Sequence, residues 1–263
     1  MTSPYVHGYD ESARIRLQDQ ARSLVDLLHS DTSYPAGSTV LEAGCGTGAQ
    51  TVTLARNSPG ARITSIDVSA VHLEEARARA AGLNNVEFRQ ADLFDLEKEV
   101  FDHVFVCFVL EHLSRPREAL GVLKGLLRPG GTITVIEGDH GSAYFHPDSD
   151  AAREAIACQV ELQRRAGGNA NIGREVYPLL VGAGFKGVRV SPRMVYADSS
   201  RPHLVDGFTR KTFIAMIEGV RGDAIAAGIV QSERFDDGIK ALHRSTEADG
   251  VFCYTFFKGV GEK

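Results

Sequence analysis

Val40-Leu41-Glu42-Ala43-Gly44-Cys45-Gly46-Thr47-Gly48-Ala49 decides the fold. An apolar strand pattern, Thr39 to Ala43, runs into a turn with three glycines, and a helical pattern follows from Gly48 to Arg56. Glycines in such a turn adopt positive φ and let the backbone approach a ligand closely. Gly44, Gly46 and Ala49 satisfy the G-x-G-x-x-A dinucleotide spacing, and Asp67 follows about 20 residues on, where an acid takes ribose hydroxyls. That spacing alone permits an NAD-linked oxidoreductase. Glu42 turns the reading away from it. A carboxylate at the lip of the loop repels a pyrophosphate and favours a ligand with positive charge, an ammonium or a sulfonium.

Outward from this loop the chain alternates. Arg62 to Asp67 reads as a strand, Ala70 to Ala81 as a helix, Val86 to Gln90 as a strand and Phe101 to Phe108 as a strongly apolar strand. Pro116 to Leu127 reads as a helix, Arg128 to Gly131 as a tight turn and Thr132 to Glu137 as a β-branched strand. Alternating strands and helices predict a parallel sheet covered on both faces. Asp92, at the end of the third strand in Gln90-Ala91-Asp92-Leu93, stands where an adenine amino group can donate to it. A glycine turn without a ligand does not account for three acids, Glu42, Asp67 and Asp92, at the ends of successive strands.

These motifs resemble the class I S-adenosylmethionine-dependent methyltransferases. The likeness rests on E-A-G-C-G-T-G, Asp67 in S-I-D-V-S, Q-A-D-L, V-F-V-C-F-V-L-E-H-L and L-R-P-G-G, and covers about Thr39 to Gly138. It implies an α/β fold with a Rossmann-like seven-stranded sheet whose last strand is antiparallel. Val251 to Lys258 is then the seventh strand, inserted between the fifth and Val188 to Tyr196. It implies that Glu42 and the Gly44 and Gly46 backbone face the amino-acid part of S-adenosylmethionine, with S-adenosylhomocysteine as product. Asp67 would accept from the ribose hydroxyls, Val68 would pack on adenine, and Asp92 would take the adenine amino group beside Ala91 and Leu93. Phe108 would lie near the methionine moiety. An N-terminal helix closing over the cofactor would bring Tyr9 and Gln20 to it and Arg16 to the acceptor.

Alignment of nucleophile, methyl and sulfur is the enzyme's main task, so the lack of an obvious catalytic triad counts for little. The segment after the fifth strand, Glu137 to Asp148, gathers two histidines, carboxylates and two aromatics. His140 is the candidate base, because imidazole titrates near neutrality. Glu137, Tyr144, His146, Arg174 and Tyr177 are candidate acceptor contacts. His140, His146 and Asp148 have no standard metal spacing, so no metal is expected. His112 in L-E-H-L reads as cofactor wall rather than base.

The chain has 263 residues, with 29 Lys and Arg against 34 Asp and Glu, a net charge of −5. The acidic balance and the lack of a basic, aromatic-interleaved stripe argue against a nucleic-acid partner. The D/N-P-P-Y/F motif of nucleobase amino-methylating enzymes is replaced by C-F-V-L-E-H, no Pro-Cys nucleophile pair is present, and the paired-glutamate loop of protein arginine methyltransferases is absent. A small organic acceptor remains, methylated on O, N or C. L-E-H-L followed by L-R-P-G-G resembles enzymes of quinone, sterol and secondary-metabolite methylation. The alternatives are the NAD-dependent oxidoreductase and a non-catalytic cofactor-binding regulator.

The four cysteines, Cys45, Cys107, Cys158 and Cys253, have neither metal nor redox spacing, which fits a reducing compartment. Met1 to Arg16 lacks an apolar signal core, and the strongest apolar run, Val104 to Leu110, is far shorter than the ~20 residues that cross a bilayer. A cytoplasmic protein without membrane insertion is expected, with homodimerisation compatible. One domain, 1–263, is expected, with a cofactor core at 38–138 and helical cover from 1–37, 141–184 and 198–250 forming the acceptor site. Asp150 to Ala166 and Arg174 to Gly182 read as helices, and Ser199 to Gly250 as mostly helical.

Overall fold

The computed structural model describes residues 24–96 and 99–263. Tyr9, Arg16 and Gln20, and most of the first expected helix (Asp10 to His29), lie outside the described residues; residues 24–29 of that helix are helical. The elements that follow are β1 (Thr39–Ala43), α1 (Ala49–Asn57), β2 (Arg62–Asp67), α2 (Ala70–Arg79), β3 (Val86–Gln90), β4 (Phe101–Cys107), α3 (Pro116–Gly125) and β5 (Leu127–His146). Then come α4 (Asp150–Arg165), α5 (Val176–Gly182), β6 (Lys186–Ala197), α6 (residues 202–219), α7 (Arg221–Ala226), α8 (Ser232–Arg244) and β7 (Val251–Glu262).

The seven strands are ordered β3-β2-β1-β4-β5-β7-β6. β1 to β5 pair in parallel and the last strand is antiparallel, the topology of the Rossmann-like methyltransferase sheet. β7 lies between β5 and β6, as the sequence reading expects.

The chain forms two compact units. One contains residues 28–137, 172–192 and 257–263. β1 and β4, at its centre, are buried on both faces, which is why they read as near-continuous apolar runs. On one face Leu41, Ala43, Ile66, Val104, Val106, Ile133 and Val135 pack with Leu120 and Leu123 of α3 and Val176 and Leu180 of α5. Each such side chain contributes roughly 1.5–3 kcal/mol through burial. On the other face, register aligns Ser65, Glu42, Phe105 and Thr134 in one row across four strands.

Of the described residues, 24–27, 138–171 and 193–256 form the second unit. Small residues let α8 lie close to α4: a Cβ on Gly238 would come within 2.4 Å of the Ala151 carbonyl oxygen. Phe208, Phe213, Phe252, Tyr254 and Phe256 form an aromatic core. Phe208 and Phe213 come from α6, whose middle, Val205–Ile214, is π-helical; there the Thr212 hydroxyl donates to the Gly207 carbonyl five residues back. Phe213, Ile217 and Val220 share a buried face, as their spacing predicts.

Two expectations change. β5 does not stop at Glu137 but continues to His146, so His140, Tyr144 and His146 lie on a strand and not on a loop. The β-branched pattern ends at Glu137, yet β7 supplies a long neighbouring strand alongside β5. The expected cover segment 141–184 also divides, because residues from Ile172 onward pack in the unit that holds the glycine loop.

Candidate functional site

Gly44, Gly46 and Gly48 all take positive φ, at 76°, 51° and 76°. The loop is pinned to β2, with Gly44 N and Cys45 N both donating to the Ile66 carbonyl, at 2.9 and 2.8 Å. Two of the glycines are required by close approach. A Cβ on Gly44 would meet Val109 Cγ2 at 2.6 Å, and one on Gly48 would meet the Ala76 backbone at 2.9 Å. Gly46 differs, because among the described residues nothing lies within 4 Å of where its Cβ would be. It is the open point of the cradle.

Glu42 corrects one expectation. It is not at an exposed lip but 2% exposed, and its Oε2 accepts from Thr51 Oγ1 and Ser65 Oγ, both at 2.6 Å. Burial raises its carboxyl to about 7, opposed by those two hydroxyls and reinforced by Asp67. The acid is therefore poised near neutrality rather than fixed as an anion, and a neighbouring cation would hold it ionised.

Asp67 is the charged acid. Its Oδ2 accepts from Gly46 N and its Oδ1 from Ser69 N, each at 2.9 Å. Burial pushes this carboxyl up, but hydrogen bonds from His72, Ser69 and Gly46 outweigh it and leave it below the ordinary value. Val68, beside it, is 52% exposed, an apolar face open to a ring. Ala91 N donates to the Asp67 carbonyl at 3.1 Å, and Asp92 Oδ1 accepts from Phe94 N at 3.0 Å. The ends of β2 and β3 thus bring Asp67, Val68, Ala91, Asp92 and the buried Leu93 together, as the sequence reading expects.

Phe108 is the one non-glycine residue with positive φ among the described residues, at 57°. Such a conformation is costly for an aromatic residue and must be held by its surroundings. Phe108 N donates to the Ile136 carbonyl, and Glu137 Oε1 accepts from Val109 N at 3.1 Å and Leu110 N at 2.8 Å. This corrects the reading of Glu137 as an acceptor contact: it is fully buried and anchors the turn after β4. Burial, then Glu111, raises its carboxyl well above the ordinary range. His112, in the same turn, is lowered to about 4 by burial and is neutral at physiological pH.

Residues 41–133, which hold Glu42, the glycine loop, Asp67, Asp92 and Phe108, match the family described as a methyltransferase domain. An uncharacterised 37.1 kDa protein of a Streptomyces fradiae transposon is 32% identical over 206 residues, 76% of this chain and 59% of that protein. The demethylmenaquinone methyltransferase of Clavibacter sepedonicus is 38% identical over 104 residues, 39% of this chain and 42% of that protein. The chain thus spans about half the length of these curated relatives. The fold is shared with Haemonchus contortus phosphoethanolamine N-methyltransferase 2, solved with S-adenosylhomocysteine, at a TM-score of 0.55 and 17% identity, covering 93% of this chain and 52% of that one.

Beyond Glu137 in β5, the predicted acceptor cluster separates. His140 is 5% exposed; its N donates to the Ala170 carbonyl, and its Nδ1 lies 3.0 Å from the Tyr254 hydroxyl. Tyr144 is 54% exposed and its hydroxyl donates to Met194 Sδ at 3.6 Å. It also reaches Cys253. Tyr254 and Cys253 are adjacent in β7 and so face opposite ways. His140 and Tyr144 thus engage neighbouring residues of β7, on either side of Ser142. There the Ser142 hydroxyl enters the ladder, donating to the Asp139 carbonyl and accepting from Thr255 N at 2.9 Å. Tyr144 is therefore not beside His140, and His146 is exposed.

Arg174 and Tyr177 are both exposed, the first in the turn before α5 and the second at the start of α5. Among the described residues, no group of three or more His, Cys, Asp or Glu could hold a metal ion, and no helix is long and apolar enough to cross a membrane. The four cysteines are buried thiols. Sequence reasoning missed Thr51, Ser65 and Tyr254. The period-two aromatics Phe252, Tyr254 and Phe256 were the available signal for the last of these.

Proposed function

We propose that this chain transfers a methyl group from S-adenosylmethionine to an O, N or C atom of a small organic acceptor. The observation that carries the reading is the 2.9 Å bond from Gly46 N to Asp67 Oδ2, which joins the open point of the glycine cradle to an ionised acid. The residues fit the cofactor. The space at Gly46 admits close backbone approach, Asp67 keeps lone pairs for ribose hydroxyls, and Val68 offers an apolar face for adenine. Asp92 suits the adenine amino group, and Glu42 suits an ammonium. When bound, S-adenosylmethionine supplies an electrophilic methyl whose carbon–sulfur bond breaks as the acceptor bonds to carbon.

The chain's own residues bind, orient and manage protons. Phe108, held in its unusual backbone conformation, lines the methionine end. His140 takes the proton when the acceptor must lose one. Tyr9, Gln20 and Arg16 are assigned to cofactor and acceptor on the family resemblance alone, and Tyr144, His146, Arg174 and Tyr177 are acceptor contacts by type and exposure. The demethylmenaquinone methyltransferase likeness extends over 104 residues and does not carry its acceptor to this chain. A cytoplasmic location suits a cofactor made there.

Calorimetric titration with S-adenosylmethionine and, separately, NADH tests the cofactor. Binding of the first alone is expected; binding of NADH alone overturns the proposal. Labelled methyl transfer screened across phenols, amines, indoles and carboxylates tests the acceptor class.

A further inference from the structure

The phenol of Tyr254 is held from several sides. Its ring meets Phe256 at 4.8 Å, Phe213 at 5.4 Å and Phe208 at 5.6 Å between centroids. Only 3% of the residue is exposed. Its hydroxyl lies where a Cβ on residue 138 would be, 2.4 Å from that position, so Gly138 is glycine because Tyr254 occupies its side-chain space. From there the oxygen reaches His140 Nδ1 at 3.0 Å, with the two rings nearly perpendicular at 74°. The imidazole also lies against Phe213, at 5.9 Å. Two neighbouring positions of β5, 138 and 140, and the distant position 254 thus cooperate to fix one ring nitrogen.

A histidine ring nitrogen is a donor or an acceptor according to tautomer, and the partner of one nitrogen sets the role of the other. We propose that Tyr254 is the positioning residue for His140: its oxygen accepts Nδ1–H, which leaves Nε2 as the basic nitrogen that meets the methyl acceptor. The inference rests on the reading of His140 as the base. In the step it serves, the acceptor's X–H bond breaks, its electron pair stays on X, and the proton forms a bond to Nε2. The resulting imidazolium carries hydrogens on both nitrogens, so the Nδ1–H bond to the phenol becomes charge-assisted and about twice as strong. The proton then leaves to water. A clamped phenol favours that state without reorganising.

The test is the tautomer of His140 in the full chain, read from two-bond 1H–15N spectra of 15N-histidine-labelled protein at mildly alkaline pH. His140→Gln identifies the signal. The wild type is expected to show a pyrrole-type Nδ1 and a pyridine-type Nε2, and Tyr254→Phe to shift the ring toward the opposite tautomer. Gly138→Ala approaches from the other side: its Cβ displaces the hydroxyl while keeping the phenol, and the same shift is expected. It stands in if Tyr254→Phe fails to fold. A pyridine-type Nδ1 in the wild type, or a pattern unchanged in the folded variants, overturns the proposal. Failure of the base reading is separate. It is seen as undiminished labelled methyl transfer by His140→Gln to the acceptor found in the phenol, amine, indole and carboxylate screen, whatever the tautomer.

Discussion

Glu137 Oε1 accepts the backbone N–H of Leu110 at 2.8 Å, so a side chain at the end of β5's core-facing row fixes the turn that follows β4. Its second bond, to Val109 N, brackets the residue after Phe108. Glu137→Ala leaves two buried N–H groups without this acceptor, and a loss of roughly 2–4 kcal/mol is expected in urea unfolding. Glu137→Gln keeps a carbonyl oxygen for both. Because burial and Glu111 raise the Glu137 carboxyl, the folded state holds its proton more tightly than the unfolded state. Wild-type stability from this group is full below the ordinary carboxylate range and is lost as pH rises through the folded value. The Gln variant does not titrate, so its urea midpoint is expected to gain on the wild type from mildly acid to alkaline pH.

Glu42 sets stability against binding. Its carboxyl is raised to about 7 in the folded chain, so the same sign applies: its stabilisation declines as pH climbs toward and past neutrality. The penalty above that point is roughly 3 kcal/mol. Glu42→Gln retains an oxygen for Thr51 and Ser65 and is expected to melt higher than the wild type at alkaline pH. Its affinity for S-adenosylmethionine is expected to fall. In the wild type, cofactor affinity should rise with pH through neutrality, with proton release on binding. Titration in buffers of different ionisation enthalpy measures that release; none would refute the placement of an ammonium at Glu42.

Asp67→Ala removes the acceptor of both Gly46 N and Ser69 N. Loss of two charge-assisted hydrogen bonds to a ribose lowers cofactor affinity by about 100-fold or more. Calorimetry checks this, and an unchanged affinity would place the ribose elsewhere.

Gly46→Ala separates space from strain. Among the described residues its Cβ meets no atom within 4 Å, so the stability cost is about 1–2 kcal/mol for the left-handed backbone. Gly44→Ala adds a 2.6 Å clash with Val109 and should destabilise more. Cofactor binding is expected to be lost in Gly46→Ala although the fold persists. Thermal melts paired with titration distinguish the two effects, and full binding by folded Gly46→Ala would show that the cradle is not approached there.

The cofactor half was legible because its signals are local. A glycine that needs positive φ, an acid at a strand end and a strand buried on both faces each leave a mark within a few residues. Glu42 was legible as a residue but not as a state. Its burial depends on Thr51 in α1 and Ser65 in β2, and only register places those hydroxyls on its carboxylate. The segment after Glu137 was read as lying beyond the fifth strand, whereas it continues β5, and Gly138 answers to a tyrosine 116 positions away.

By itself, the sequence determined the alternating strands and helices of the 38–138 segment and the acids at the ends of β1, β2 and β3, since spacing and period follow from backbone geometry within each element; the seven-stranded arrangement came from the family resemblance. The tertiary structure alone decided which nitrogen of His140 is engaged, which face Tyr144 takes and why Phe108 holds a positive φ. Those depend on contacts between strands distant in the chain, where a one-residue slip reverses a face and no local pattern records the partner.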